Sequence, residues 1–390
     1  MRDAVIVDAV RTAVGKGKAG GALSGIHPVD LSAHVLQALA ERNDLDTAAV
    51  DDVIWGCVSQ VGEQGGCVGR YSVLAAGWPE HVPGLTIDRQ CGSSQQAVHQ
   101  AAAGVIAGQY DIVVAGGVES MSRVPMGSTY AGGQYGKPYG RLVAERYDHF
   151  AFNQGLGAEM IAEEFGLSRT DLDQHALDSH ERACRAIDEG RFKNQIVPVA
   201  VTGENGRQHV FDTDEGVRRG GTLEKLAGLT TPFKTDGVVS AGNASQISDG
   251  SAALLITSSE TARRNGWTPI ARFHTGVVTG ADPITMLKGP IVATHKVLKR
   301  SGLSLTDIGT FEINEAFASV SLGWQRETGA DYERLNPNGG AIALGHPLGG
   351  SGARLMTSML HHMKDNGVRY GLQSMCEGGG MANATILELL

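Results

Sequence analysis

The opening segment AVIVDAVRTAVGK is an apolar run that gives way to a glycine-rich turn, the pattern of a buried strand. Residues 28 to 43, PVDLSAHVLQALAERN, follow with proline first and apolar residues at helical spacing, which predicts a helix. VDDVIWGCVSQ, LTIDRQCG and DIVVAGGVES are further short apolar runs. The last two are separated by SSQQAVHQAAAGVIAGQY, small and alanine-rich, which suits a buried helix. Strand and helix in alternation predict an α/β fold whose sheet is covered on both faces.

An internal repeat organises the chain. LDTAAVDDVIWG (45 to 56) lines up with LSLTDIGTFEIN (303 to 314), 258 residues on. Each copy is followed by a Gly/Ser-rich stretch opening a helix (CGSSQQAVHQAAAG; GHPLGGSGARLMTSML) and then by a strand ending in glycines (DIVVAGGVES; GLQSMCEGGG). The texture between the copies differs: STYAGGQYGKPYGR is loop-like, and GAEMIAEEFGLSRTDLDQHALDSHERACRAIDEGRF is helical. Ser168 reads as a helix start, with Asp171 and Asp173 in the first turn complementing the helix dipole. The expected division is an N-terminal α/β half over 1–120, completed by 244–268, a loop domain over 121–243, and a C-terminal α/β half over 269–390.

Composition narrows the function. Thirty-three Lys and Arg against 42 Asp and Glu give a formal charge of −9, which argues against sequence-blind binding to phosphate backbones and hence against nucleic acid. Fifty-four glycines, roughly twice average usage, point to many tight turns and close backbone approaches. No apolar run reaches membrane-spanning length, and Asp8 interrupts the start before it could serve as a signal-peptide core. A cytoplasmic protein without a membrane partner is expected. Cys57, Cys67, Cys91, Cys184 and Cys376 form an odd, scattered set without a CxxC pair, so neither a disulfide framework nor a zinc site is expected.

GxGxxG after the first strand, GxxxxGK[ST] and GxSxG are all missing, which removes the signatures of dinucleotide binding, phosphate cradling and the hydrolase elbow. His361 and His362 are adjacent, and His175 and His180 lie five apart with no third ligand nearby, so both pairs are expected on solvated helix faces with no metal.

The chemistry concentrates in four loops. Cys91, in IDRQCGSSQQA, sits where a strand yields to a helix, and a helix N-terminus lowers a thiol's pKa toward neutrality. A packed cysteine and a reactive one both fit that stretch taken alone. His346, in NPNGGAIALGHPLGGSGAR, is flanked by glycines and followed by Pro347, which forces an irregular turn and lets a base approach its partner. Cys376 closes a strand in SMCEGGGMA, and EINEAFAS presents Asn314 and Glu315 beside a helix start. Open α/β sheets place their ligands at such strand ends.

With QCGSSQQA, NEAFA, GGAIALGHPLGGSG and CEGGGM in this order, the sequence closely resembles the thiolase family over essentially its whole length. The resemblance implies the thiolase fold: two duplicated α/β halves packed in layers, with an inserted loop domain, assembling as a homodimer or homotetramer. It implies that Cys91 is the nucleophile carrying the acyl group, that His346 is the base activating it, and that Cys376 moves the proton at the acetyl α-carbon. Asn314 would hold a water that forms one oxyanion hole with His346, and the backbone N–H groups of Cys91 and Gly378 would form the other. No permanently bound cofactor is implied; coenzyme A is a co-substrate, with Arg218 at its adenine end, Ser245 at the pantetheine, and Ala316 and Phe317 along the channel. These roles agree with the chemistry. Exchange with CoA sulfur needs a thiolate, proton transfer at carbon needs a second base, and developing oxyanions need fixed donors.

One departure bears on substrate. Short-chain biosynthetic members carry a His-Met pair beside the acyl pocket, whereas this chain has Asn153-Gln154 in FNQGLGAEM, which suggests a roomier pocket. CGSSQQA and NASQIS, in place of CGSGLQA and NASGLN, look more like members acting on fatty or steroid side-chain acyl-CoAs. The expectation is degradative thiolysis of 3-ketoacyl-CoA to acetyl-CoA and a shortened acyl-CoA. The alternatives are a short-chain acetoacetyl-CoA thiolase and a non-catalytic acyl-CoA or lipid carrier of the same fold. A decarboxylating ketoacyl synthase would leave Cys376 unexplained.

Overall fold

The structure, a computed structural model, describes residues 2–203 and 206–390. Strand β1 (Val5–Thr12) runs into the short β2 (Gly15–Lys16), helix α1 (Pro28–Arg42), β3 (Asp52–Gly56), α2 (Val68–Ala75), β4 (Leu85–Ile87), α3 (Ser93–Ala107) and β5 (Ile112–Ser120). A helical excursion follows, with α4 (Arg141–Arg146), α5 (Gln154–Glu164), α6 (Arg169–Asp188), β6 (Ile196–Val197), the hairpin β7 (Val199–Thr202) and β8 (Gln208–Phe211), and α7 (Leu223–Ala227). The chain returns through β9 (Ser248–Thr257) and α8 (Ser259–Arg264). The second α/β unit comprises β10 (Ala271–Gly280), α9 (Gly289–Ser301), β11 (Thr310–Ile313), α10 (Ala318–Thr328), α11 (Ala341–Leu344), α12 (Leu348–Asn366), β12 (Tyr370–Glu377) and β13 (Met381–Leu389).

Strand order is β11-β12-β13-β10-β1-β9-β5-β3-β4, and four strands on each side of the seam between β10 and β1 correspond, β4 being an extra edge strand of the first half. β1–β9 and β9–β5 are antiparallel and β5–β3 is parallel; on the other side β10–β13 and β13–β12 are antiparallel and β12–β11 is parallel. The repeat in the sequence is therefore a repeat in space. Its offset persists: β3 begins at Asp52 and β11 at Thr310, while β5 begins at Ile112 and β12 at Tyr370.

Among the described residues only Val5–Arg272 and Ile6–Ala271 pair in register across the seam, so the ladder acts as two sheets. The helices α3 and α12 pack against each other and lie between those sheets, with α1 and α2 outside the first sheet and α9 outside the second. Small residues allow the central crossing. Ala353 N–H donates to Ser94 Oγ at 2.8 Å, and a Cβ on Gly352 would lie 2.4 Å from Gln95 N. Gln95, a distinctive residue of the CGSSQQA stretch, ties α3 to the second sheet: its Nε2 donates to Thr385 Oγ1 at 2.7 Å, and Gln373 Nε2 donates to its Oε1 at 3.0 Å.

Ser168 caps α6 with Asp171 in a reciprocal capping box, as the sequence predicts. Asp173 has a different role: it is buried, accepts from Arg169 Nε and Asn243 Nδ2 at 2.8 Å each, and so anchors the loop before β9. The expected solvated histidine faces are corrected as well. His175 is buried between Tyr332 Oη and Ser321 Oγ, both at 2.8 Å, and buried His361 meets Ala9 O at 3.2 Å. Each has a polar partner inside the protein, which offsets the loss of water. Among the described residues no helix is long and apolar enough to cross a membrane.

The excursion is clamped to β1 by Arg11 and Asp214, whose side chains are both fully buried and joined by two bonds of 2.7 and 2.9 Å. Asp214 also accepts Val14 N–H at 2.8 Å. Removing one partner strands the other charge away from water. Asp214→Ala is expected to lower unfolding free energy by about 3–5 kcal/mol, read from denaturant midpoints, with Arg11→Met less harmful in the Asp214→Leu background than alone.

Candidate active site

Four loops converge where the central helices begin. After β4 the chain makes a tight turn: Gln90 adopts φ +48°, Gln90 N–H donates to Asp88 Oδ1 at 2.6 Å, and Ser93 Oγ bonds Gln90 O at 2.6 Å. This turn delivers Cys91 just ahead of Gly92, the N-cap of α3. Cys91 is 6% exposed. The expected fall of its pKa at the helix terminus is overturned, because burial, reinforced by Cys376 and Glu377, pushes the thiol well above its ordinary value. At rest Cys91 is a neutral thiol and needs a base.

His346 supplies a fitting one. Gly345 at φ +95° turns the chain between α11 and α12; a Cβ there would stand 2.4 Å from Ser248 Oγ. His346 N–H is held by Ser248 Oγ at 3.0 Å and Gln246 O at 3.2 Å, and its Nδ1 lies 2.6 Å from Ser351 Oγ. Ser351 spends its hydroxyl proton on Pro347 O at 2.8 Å, so it accepts from Nδ1–H and leaves Nε2 with a free lone pair. Burial, followed by the field of Arg354, lowers His346 to about 3 and keeps it neutral.

Asn314 meets that lone pair: its Nδ2 is 3.5 Å from His346 Nε2, while its buried Oδ1 has no partner among the described residues. The loop beneath is set by Glu315, which accepts from Ser179 Oγ at 2.7 Å, Asn336 Nδ2 at 3.0 Å and Ile342 N–H at 3.2 Å. Cys376, at the end of β12, is buried and pushed up to about 12, chiefly by burial. Gly378 meets the Cys91 turn directly, for a Cβ on it would lie 2.8 Å from Gln90 Oε1.

A cavity of about 450 Å³ opens beside this cluster, lined by Lys16, Lys18, Arg218, Phe233, Ser245 and Ile247 among others. The Ile247–His346 bridge joins its wall to the base. Arg218 and Ser245 thus share one cavity, whereas Arg219 is drawn aside by Asp188 at 2.6 Å. Ala316 and Phe317 are buried behind the wall: Ser245 N–H donates to Ala316 O at 3.0 Å, and Phe317 packs edge-on to Phe233.

Three contributors escaped the sequence reading. Ser351 fixes the His346 tautomer. Glu119, buried at the end of β5, accepts from Val58 N, Ser59 N, Gln64 Nε2 and Gly349 N at 2.8 to 3.0 Å and so seats the first turn of α12. Glu377 lies against the start of α3. An acid closing an otherwise apolar strand, in GVES and MCEG, was the available signal.

The chain matches the thiolase N-terminal domain family over residues 4–260 and the thiolase C-terminal domain family over residues 267–389. It belongs to the thiolase family.

This thiolase is 50% identical over 395 residues to the steroid 3-ketoacyl-CoA thiolase FadA6 of Mycobacterium tuberculosis, covering 100% of this chain and 95% of that one. It is 43% identical over 397 residues to a 3-ketoacyl-CoA thiolase of Bacillus subtilis, covering both chains completely. The crystal structure of the Bacillus anthracis acetyl-CoA acetyltransferase superposes with a TM-score of 0.91 at 39% identity, covering 100% of this chain and 99% of that one. The thiolase is accordingly an acyltransferase with the layered, duplicated thiolase fold.

Ser351→Ala removes the acceptor that fixes Nδ1–H. Turnover is expected to fall roughly ten- to a hundredfold, as for other residues that orient an active-site imidazole, with KM for CoA little changed in steady-state kinetics.

Proposed function

We propose that this thiolase cleaves 3-ketoacyl-CoA with CoA, giving acetyl-CoA and a shortened acyl-CoA. The observation that carries the reading is the His346 lone pair, fixed by Ser351 and met by Asn314, on the turn into α12, which packs against the helix that Cys91 precedes, with the Cys91 and Cys376 thiols both raised by burial.

His346 Nε2 takes the Cys91 proton, and the thiolate attacks the 3-keto carbon. The tetrahedral oxyanion collapses, the bond between C2 and C3 breaks, and the acyl group stays on Cys91 as a thioester. The acetyl-CoA enolate takes a proton at carbon from Cys376. Cys376, now a thiolate, recovers its proton from His346, which then takes the proton of the incoming CoA thiol; CoA sulfur displaces Cys91, and Cys91 recovers its proton from His346. A thiol raised to about 12 suits this task, because its thiolate is basic enough to exchange protons with a weak carbon acid. Asn314, through a water shared with His346, and the N–H groups of Cys91 and Gly378 are the oxyanion donors, and loss of one such donor costs roughly a hundredfold or more. CoA would enter by the cavity with Arg218 at its adenine end and Ser245 at the pantetheine, Ala316 and Phe317 backing the channel.

A degradative substrate is favoured by Asn153-Gln154, where short-chain members carry His-Met. The Asn153 side chain accepts Gly155 and Leu156 N–H at 2.9 and 3.1 Å, so it is spent on capping α5. The relative named as a steroid 3-ketoacyl-CoA thiolase points the same way.

The test compares CoA-dependent cleavage of acetoacetyl-CoA, a long straight-chain 3-ketoacyl-CoA and a sterol-derived one at equal low concentrations. Higher kcat/KM for the larger substrates is expected; cleavage of acetoacetyl-CoA alone would establish the short-chain alternative, and no cleavage of any would favour the carrier. Cys91→Ala is expected to abolish acyl transfer, whereas Cys376→Ala keeps transfer of acyl from CoA to Cys91 but blocks making and breaking of the carbon–carbon bond. Acyl label on any other cysteine in mass spectra refutes the assignment.

A further inference from the structure

The repeat pairs Glu119 at the end of β5 with Glu377 at the end of β12, and the two acids sit alike but are treated differently. Each faces the start of the central helix from the other half: a Cβ on Gly349 would stand 2.8 Å from Glu119 Oε2, and one on Gly92 would stand 2.1 Å from Glu377 Oε1. Glu119 accepts four N–H groups. Glu377 is equally buried, yet neither of its oxygens has a hydrogen-bond partner among the described residues.

The groups around Glu377 are few. Arg89, from the turn after β4, approaches Oε2 only to 3.9 Å, and Asp88 stands beyond it. Asn383 of β13 donates its Nδ2 to Gly92 O at 3.0 Å, which holds that glycine over the carboxyl. Cys91 and Cys376 are the remaining titratable neighbours. Burial raises the carboxyl to about 8, with Arg89 opposing and Asp88 assisting. An unpartnered buried carboxyl is far cheaper neutral than charged.

Gly92 caps α3, whose N-terminal field favours an anion at Cys91. A carboxylate under Gly92 competes for that field and repels the thiolate. We propose that Glu377 is a positioning residue of the reaction: its neutral carboxyl seats the Cys91 turn, and its ionised form suppresses thiolate formation at Cys91. The proposal rests on Cys91 being the acyl carrier.

The test is peptide-resolved alkylation of Cys91 by iodoacetamide against pH, in the intact enzyme and in Glu377→Gln, with the acyl label from substrate mapped in both. Rates that agree near pH 7 and diverge above pH 8 are expected, the variant becoming about three- to tenfold faster, which corresponds to half to one unit in thiol pKa. Superimposable profiles, or a uniform loss at every pH, overturn the proposal. Glu377→Asp is expected to keep the alkaline depression. Should Glu377→Gln fail to fold, Arg89→Gln serves: without that cation the depression starts at higher pH, and an unmoved onset overturns the proposal. Acyl label on another cysteine instead refutes the nucleophile assignment, and the proposal with it, whatever the alkylation profiles show.

Discussion

The close crossing of α3 and α12 between the two sheets is the constraint on which the rest depends. α12 is packed against strands of both sheets, and α3 lies on the first sheet while Gln95 and His99 bond Thr385 of the second, so any increase in the helices' separation would open the core on two faces at once. Their approach needs atoms of minimal bulk: a Cβ on Gly352 of α12 would lie 2.4 Å from Gln95 N of α3. Because the crossing is tight near the helix N-termini, the turns that lead into them are brought together, and those turns carry Cys91 and His346. The chemistry is thus placed by packing between halves rather than by any single loop.

That placement fixes the electrostatics. The reacting groups are dry, so each takes its neutral form: Cys91 and Cys376 are pushed up and His346 down to about 3. Helix dipoles, which act strongly in such a site, do not overcome the cost of burying an unsolvated thiolate. Reactivity then comes from moving protons between neighbours rather than from standing charge, which makes the tautomer of His346, and so Ser351, decisive.

The alternation of apolar runs, the offset repeat and the four glycine-rich loops were legible in the sequence because each depends on local pattern. What escaped it depends on partners far away in the chain. Nothing around Ser351 announces that its proton goes to Pro347 O, nothing near His175 announces Ser321 and Tyr332, and the surroundings that raise Cys91 include, besides its burial, a residue 285 positions distant, Cys376. A helix-start rule read the Cys91 turn correctly as geometry and wrongly as acidity, since acidity follows the whole environment. Gln95 similarly reads as a substrate marker along the chain but acts in space as a bond between halves.

Duplication explains how one scaffold supports two kinds of thiol. A perfect twofold would give each half the same loop chemistry. Here the turn opening α3 carries Cys91 where the corresponding residue, in the first turn of α12, is Gly349, and Cys376, the penultimate residue of β12, corresponds to Val118 of β5. The paired acids divide in the same way. Glu119, held by four N–H donors, is locked as a strut that seats α12 and His346 with it, whereas Glu377 faces Gly92 without a donor among the described residues. Burying a carboxyl that is satisfied contributes rigidity, and burying one that is not makes its protonation state depend on its neighbours. The turn that holds the base is therefore fixed by an acid from the opposite half, while the turn that holds the nucleophile faces one whose charge can still change.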